Sequence, residues 1–517
     1  MKITFLGHAA LRIDADKKPA TLVDPWFSKT GAFFRSWFQF PENSQLLDSA
    51  TTGIGDILIS HNHADHFDPP VLRAALAKNP NLKIHIAKFA TDWFKNGIIK
   101  QIPEATDRLV VHAAFENFEL SCGVLAFFVP EESPGQIDST IVFKDGDEFF
   151  VNMNDSRLNT PQLEKIAARA SKVNFVGLQA SGASEYPINY LYDPADMEKR
   201  KLEKRQLKFE HCEHVADILQ PERILFFAGP PVFLDPVLAP HNDLSQASVF
   251  PDQIDILCHF DKSRPDISER SYFLLPGEEF SDRFLWRTTA KDDPRLLPFT
   301  KKSEYIEEYR QRRTAELDFD LGKLPEQERL LAHFKSMANI SAYVSAKIGG
   351  KLCFVIKSET DESTFTVDFD QRQASLGLSD DPLYILTAPA RAVTAVLDGE
   401  ATWDDVFLSI RMSFDERTER FISHFKTLLK YLDADMMEAL EAYEEGLQND
   451  GETVMADIVH DGKTHRIQRF CPHAGVDLVR QGKVNDDGTI TCMAHRFCFD
   501  LTTGKCTNVE GFKLKVE

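Results

Sequence analysis

Long apolar runs are missing from this chain. Nowhere do its 517 residues approach the ~18 consecutive apolar positions that a membrane-spanning helix needs. The start, Met-Lys-Ile-Thr-Phe-Leu-Gly, reads as a strand and lacks the apolar stretch of a secretion signal. Positive charge is also scarce. A net charge of −21 argues against a nucleic-acid partner, which demands a basic footprint, and suits a basic protein partner. Cysteine is sparse: eight residues, four of them in one ligand-like pattern, do not make a disulfide framework. Repeats and low-complexity tracts are lacking too, which excludes a solenoid. These absences predict a cytoplasmic protein with no membrane span and no nucleic-acid partner. One further absence matters later: no histidine occurs between His112 and His211.

What is present is core-forming material, 43% hydrophobic residues and 40 Phe, on a length suited to about three domains. From 1 to 285, near-continuous apolar runs (2–6, 20–23, 56–60, 83–87, 140–144, 148–152, 172–177 and 223–227) alternate with helical patterns, as in an α/β domain whose strands are covered on both faces. Asp292-Asp293-Pro294 reads as a linker. The pattern then predicts helix over 303–343, amphipathic strands at 351–357 and 364–369, and helix over 381–447 with Pro389 as punctuation. Together 300–448 would form an α+β middle domain. Short strands and turns fill 451–517.

That last segment holds Cys471-Pro-His473 and, about twenty residues on, Cys492-Met-Ala-His495. Two mixed Cys/His pairs on two short loops are the ligand set of a Rieske [2Fe–2S] centre, with Cys471 and Cys492 on one iron and His473 and His495 on the other. A structural zinc site is the alternative, but there cysteines usually pair with cysteines and histidines with histidines. Cys498 and Cys506 lack ligand spacing. A Rieske centre moves single electrons, so the rest of the chain should contain their destination.

The candidate is Ser60-His61-Asn62-His63-Ala64-Asp65-His66, directly after the apolar run 56–60, where α/β sheets place their ligands. His61 and His63 alternate and can face one metal ion. Asp65 and His66 can serve a second ion or support the first. With Gly7-His8, Asp24-Pro25 and Asn154-Asp155, this loop resembles the metallo-β-lactamase superfamily over about the first 280 residues. The resemblance implies a four-layer αββα sandwich with metals at one edge, Asp155 as a further ligand and His8 facing the loop. The superfamily's dinuclear hydrolases carry two more histidine ligands, and this chain offers none at those places. The first such segment reads Val129-Pro-Glu-Glu-Ser-Pro-Gly-Gln-Ile-Asp138 and the second Phe226-Phe-Ala-Gly-Pro230. His61, His63 and Asp155 then remain, the two-His-one-carboxylate set of mononuclear non-haem iron oxygenases, with zinc as the alternative ion.

The chain also resembles the CMP-N-acetylneuraminate hydroxylase family. The likeness runs through residues 3–9, Asp24-Pro-Trp-Phe27, the 59–66 loop, Asn152-Met-Asn-Asp155, Gly182-Ala-Ser-Glu-Tyr-Pro187, the basic stretch 199–208 and Thr402-Trp-Asp-Asp-Val-Phe-Leu408. It implies a Rieske-dependent monooxygenase acting with O₂ on an N-acyl sugar or sugar nucleotide. The electrons would come from a ferredoxin or a cytochrome b5-type protein and an NAD(P)H reductase. The Rieske segment is C-terminal here, unlike in that family. A lactonase- or phosphodiesterase-type hydrolase with a regulatory Rieske domain is the second reading, and a non-catalytic electron carrier the third. The middle domain faintly resembles the sterol-carrier fold; packing and homo-oligomer formation are the plainer roles. The basic run 199–205, and His211 and His214 beyond it, read as solvated helix surface.

If 471–495 holds a Rieske centre, the purified protein is brown, and Cys471→Ser or His495→Ala abolishes its visible and EPR signature. A colourless, zinc-loaded wild type would rule the cluster out.

Overall fold

The computed structural model describes residues 1–15, 19–181, 184–243, 245, 248–281, 294–418, 422–449, 454–473, 476–492, 497–509 and 511–517. The chain divides into two compact units. The first comprises 1–131, 137–184 and 194–319; the second comprises 132–136, 185–193 and 320–517.

The first unit is built on two sheets of matching plan. One holds β1 (Lys2–Gly7), β2 (Ala10–Asp14), β3 (Ala20–Val23), β4 (Ile54–Ile59), β5 (Lys83–Ala87) and β6 (Leu109–His112), in that order. Its first three strands are antiparallel neighbours, and β3 to β6 run parallel. The other holds β7 (Phe118–Glu119), β8 (Leu125–Pro130), β9 (Ser139–Asp145), β10 (Glu148–Asn152), β11 (Phe175–Gln179), β12 (Arg223–Phe227) and β13 (Ser271–Tyr272). Here β7 to β10 are antiparallel and β10 to β13 parallel.

Period-two alternation explains the layering. On β8, Ala126 and Phe128 join Phe5, Leu11, Leu58, Phe143 and Phe150 in a core contributed by both sheets. Phe127 and Val129, pointing the other way, pack with Leu163, Phe209, Val215 and Phe260 from the covering helices. Strands buried on both faces carry apolar residues without alternation, which is why they were legible as continuous runs.

The second unit contains a five-stranded sheet of β14 (Lys351–Lys357), β15 (Glu362–Asp368), β16 (Gln373–Leu376), β17 (Tyr384–Pro389) and β18 (Ser413–Glu416), ordered β16-β15-β14-β17-β18. The helical reading of 381–447 is corrected here. β17 pairs parallel to β14 and antiparallel to β18, so a strand and a sheet edge interrupt the helices. Pro389 precedes the helix Ala390–Asp398 as its cap rather than punctuating one. Helix over 303–343 is also broken, into Lys302–Arg312, Gln327–Asn339 and the start of Ala342–Ile348. Asp292 and Asp293 of the expected linker lie outside the described residues. The chain ends in the hairpin β19 (Met455–His460) and β20 (Lys463–Gln468) and the antiparallel sheet β21 (Gly482–Val484), β22 (Thr489–Cys492) and β23 (Cys498–Asp500). Among the described residues no helix is long and apolar enough to cross a membrane.

Trp403, fully buried, donates its Nε1–H to His333 Nε2 at 3.1 Å. Burial, and secondarily the Arg329 guanidinium, push His333 down to about 4. The neutral ring is the folded form, so its contribution is present above the ordinary value of 6.5 and is lost as pH falls from there towards 4. Thermal melts should show the second unit destabilised by about 2 kcal/mol at pH 5 relative to pH 7.5. His333→Gln should flatten that dependence.

Candidate metal centre

Four residues just past the ends of β1, β3, β10 and β12 take left-handed backbone: His8 (φ 51°), Asp24 (41°), Asn154 (50°) and Ala228 (53°). For non-glycine residues this costs about 1–3 kcal/mol each and persists where the surroundings enforce it. The two sheets meet at this edge, where the Ala228 N–H donates to the His8 carbonyl at 2.9 Å.

The 60–66 loop leaves β4 here. It is wound tightly, with the His66 and Phe67 N–H groups donating to the His63 carbonyl at 2.9 and 2.7 Å. Asp68 then caps the helix Pro69–Lys78 through the Val71 N–H and also accepts from the Ser28 N–H and hydroxyl, fixing the loop's exit to the 24–28 segment.

Asp24, fully buried, organises the loop. Its Oδ1 accepts from the Ser60 N–H at 2.8 Å, and its Oδ2 accepts from the Ser60 hydroxyl at 2.7 Å and from His66 Nδ1 at 3.1 Å. A carboxylate only accepts, so His66 carries its proton on Nδ1 and presents Nε2 as a lone pair. The Ser60 hydroxyl is spent on Asp24, so at 2.9 Å it accepts from His61 Nδ1. His61 then faces His63 through Nε2, 2.9 Å from His63 Nδ1. Two ligands about 2 Å from one tetrahedral ion stand about 3.3 Å apart, so these two nitrogens suit one ion.

Three donor groupings result: His61, His63 and Asp138; His61, His66 and Asp155; and His8, Asp65 and His66. His66 Nε2 lies 3.4 Å from Asp155 Oδ1 and 3.8 Å from Asp65 Oδ2. His8 Nε2 holds Asp65 Oδ2 at 2.9 Å. His66 Nε2 and the Oδ1 atoms of Asp65 and Asp155 are buried and make no hydrogen bond among the described residues. Buried carboxylates and lone pairs of this kind demand a cation, so the donor set fits a metal. The same carboxylates favour positive charge on His66. Burial disfavours the His66 imidazolium, yet Asp155 and Asp65 hold it well above its ordinary value. Burial likewise pushes Asp155 up, and His66, His61 and Lys208 outweigh it, holding the carboxyl low.

The structure thus brings together His61, His63, Asp65, His66 and Asp155. Asp138 was missed as a donor. It falls within donor range of His61 and His63, while its Oδ1 also stands 3.3 Å from the protonated His61 Nδ1; it closes the segment where the superfamily's next histidine belongs, and that alignment was the available signal. His241 and His259 belong to none of the groupings among the described residues; His259 stacks on Phe209. His211 and His214, read as surface, are buried. His214 Nε2 bonds the Thr160 hydroxyl at 3.0 Å, because the helix Pro194–Leu219 turns its last three turns onto the sandwich.

In the C-terminal domain, Cys471 and Cys492 are buried, unlinked thiols in a core with Phe497, Phe499 and Phe512. Each opens a loop closed by its own N–H, donated to the Val476 carbonyl from Cys471 and to the Phe497 carbonyl from Cys492, both at 2.8 Å. His473 stacks on Phe497 with ring centroids 4.4 Å apart. His495 lies outside the described residues. Two equivalent loops presenting buried thiols fit the cluster. Cys498 and Cys506 hydrogen-bond Thr489 and Asn508 instead.

Fold and donors define a two-part protein: a metallo-β-lactamase-fold domain at the N-terminus and a Rieske [2Fe–2S] domain at the C-terminus. Residues 2–155 match the β-lactamase superfamily domain family and residues 434–515 the Rieske [2Fe-2S] domain family. A Mycolicibacterium smegmatis protein named for a Rieske 2Fe-2S centre is 29% identical over the whole of both chains. A Mycobacterium tuberculosis protein of the same description is 28% identical over 100% of this chain and 99% of its own. Among solved structures, CmlA, a diiron β-hydroxylase from Streptomyces venezuelae, aligns with a TM-score of 0.37 at 15% identity, over 55% of this chain and 54% of that one.

Asp24→Asn should lower metal affinity about 10- to 100-fold without removing a donor, because the amide can no longer fix the His66 tautomer and charge. Asp138→Ala should lose one metal equivalent and spare the other. Metal analysis of anaerobically purified variants checks both.

Proposed function

We propose that this protein is a Rieske-linked oxygenase that hydroxylates a polar small molecule at iron in the sandwich domain. The observation that carries the reading is Asp138 beside His61 and His63. It gives the loop a carboxylate where a hydrolase would present a third imidazole, and two histidines with one carboxylate are the ligand set of non-haem Fe(II) oxygenases. Two ions are proposed rather than the single iron expected from sequence. His61, His63 and Asp138 would hold one, and Asp65, His66 and Asp155 the other, with His8 fixing Asp65. The functional blocks are 1–285, 300–448 and 451–517.

When loaded, iron would supply O₂ activation and the cluster, on Cys471, His473, Cys492 and His495, single electrons. The chain's own residues set the rest. Asp24 holds His66 and, through Ser60, His61 in the tautomers that present Nε2. The balance is one C–H bond, one O₂, two electrons and two protons, giving C–OH and water. A one-electron cluster must therefore be refilled within each turnover, which requires an external donor of the ferredoxin or cytochrome b5 type with an NAD(P)H reductase. The resemblance to CMP-N-acetylneuraminate hydroxylases makes N-acyl sugars and sugar nucleotides the first substrates to try.

With a reductase present, wild type should take up O₂ and place ¹⁸O from ¹⁸O₂ in the product. Cys471→Ser should keep its sandwich iron and lose multiple turnover by more than about 100-fold. A Cys471→Ser variant that cleaves lactones or phosphodiesters as fast as wild type, without reductant, would make the chain a hydrolase with a regulatory redox domain.

A further inference from the structure

Beside Asp155, at the ends of the parallel strands β10 and β11, polar side chains are buried without partners. Both side-chain atoms of Asn152 and of Asn154, Nε2 of Gln179 and the hydroxyl of Ser181 make no hydrogen bond among the described residues. Their residues are 0%, 1%, 7% and 1% exposed. Folded proteins pair nearly all such groups, so several at one place need a ligand or ordered water. They are neighbours by register. Asn152 pairs with Gly177 across β10 and β11, and the Met153 N–H donates to the Gly177 carbonyl at 3.0 Å. At Gly229, whose φ is 137°, a Cβ would come within 3.1 Å of Ser181 Oγ, so glycine leaves that hydroxyl its space.

A cation completes the set. Lys208, on the helix Pro194–Leu219, is 5% exposed and donates to Gln179 Oε1, its one hydrogen-bond acceptor among the described residues. Burial, then Arg157 and Lys204, push Lys208 well below its ordinary value, so its three-donor ammonium needs an anion beside it, which a neutral amide does not supply. Lys204 and Arg157 add positive charge at the same place, and Asp155 is the carboxylate that feels Lys208. Once Asp155 is engaged by a metal, nothing named here balances Lys208.

We propose that Lys208, Gln179, Ser181 and Asn154 form a subsite for an oxyanion, a carboxylate or phosphate, carried by the substrate next to the metal centre. The ammonium, the two amide N–H groups and the hydroxyl are the donors. Substrates would then be acidic small molecules with the acid group near the carbon to be hydroxylated. This deepens the oxygenase reading and rests on it only for the reaction, not for the anion.

The test is ligand-dependent thermal stability of the metal-loaded, full-length protein with inorganic phosphate and, separately, acetate. Anything that binds only the folded state raises Tm with concentration. Wild type should gain several degrees from at least one of the two anions, and chloride at equal ionic strength should give less. The anion that works distinguishes the phosphate from the carboxylate source. Lys208→Met should keep the iron and the cluster spectrum, lose the anion-dependent gain and weaken the calorimetric Kd at least tenfold. Lys208→Arg should retain the gain. Ser181→Ala, which removes one donor without burying new charge, should weaken Kd about threefold. The subsite is overturned if neither anion stabilises wild type beyond chloride, as ordered water alone would give, or if Lys208→Met responds like wild type. The two readings fail separately. Anion binding lost with Lys208→Met but no ¹⁸O incorporation sinks only the oxygenase; ¹⁸O incorporation with no anion effect sinks only the subsite.

Discussion

The carboxylate of Asp24 is the constraint on which the metal centre depends. It is fully buried, comes from the end of β3, and spends both oxygens on the loop after β4. Through Ser60 and His66 it determines which nitrogen of two imidazoles faces the ion. A buried carboxylate is costly unless its lone pairs are met. Here the groups that meet them are the ones that must be oriented, so the cost of burying Asp24 and the placement of His61 and His66 are one arrangement. Left-handed backbone at His8, Asp24, Asn154 and Ala228 belongs to the same logic. Each strand end is bent in an unfavourable way, and only the hydrogen-bonded edge makes that tolerable.

Much of this was legible in the sequence because it is local. His61, His63, Asp65 and His66 lie within one loop, and the strand before them is an unbroken apolar run. The boundaries of 20–23, 83–87, 148–152 and 223–227 coincide with the strands found. What was not legible depends on distant partners. β17 is six residues, Tyr384-Ile-Leu-Thr-Ala-Pro389, followed directly by a helix, and its strand character comes from pairing with β14, some thirty residues earlier. Periodicity alone cannot separate a short buried strand from the start of a helix. Asp138 is a single carboxylate 75 positions after His63, with no ligand spacing around it. Lys208 hides at the end of a charged run on a helix whose first turns are exposed and whose last turns are buried.

The same distinction separates the two halves of the chain. The cluster pattern is short because each loop is a closed ring. Cys471 and Val476 bracket one, Cys492 and Phe497 the other, and each cysteine's own N–H shuts it. Both ligand pairs there are local in sequence, so sequence exposes them. In the sandwich the donors come from separate strand ends brought together by two sheets, and only the 61–66 portion has a fixed spacing.

Burial also gives the cluster domain a direction. Cys471 and Cys492 are 1% and 0% exposed, within a core of phenylalanines, while His473 is only half-buried. A cluster held on those ligands would have its thiolate side enclosed and an imidazole side nearer solvent. Electron transfer falls steeply with distance through packed protein, so charge would enter and leave such a cluster on its imidazole side. Phe497, stacked on His473, and Phe512, edge-on to the same ring at 5.8 Å, hold that imidazole in place. In the proposed oxygenase, a centre that carries one electron while the reaction needs two would meet a donor more than once per turnover. The half-buried His473, braced by aromatic rings, would permit this without opening the core around the sulfurs.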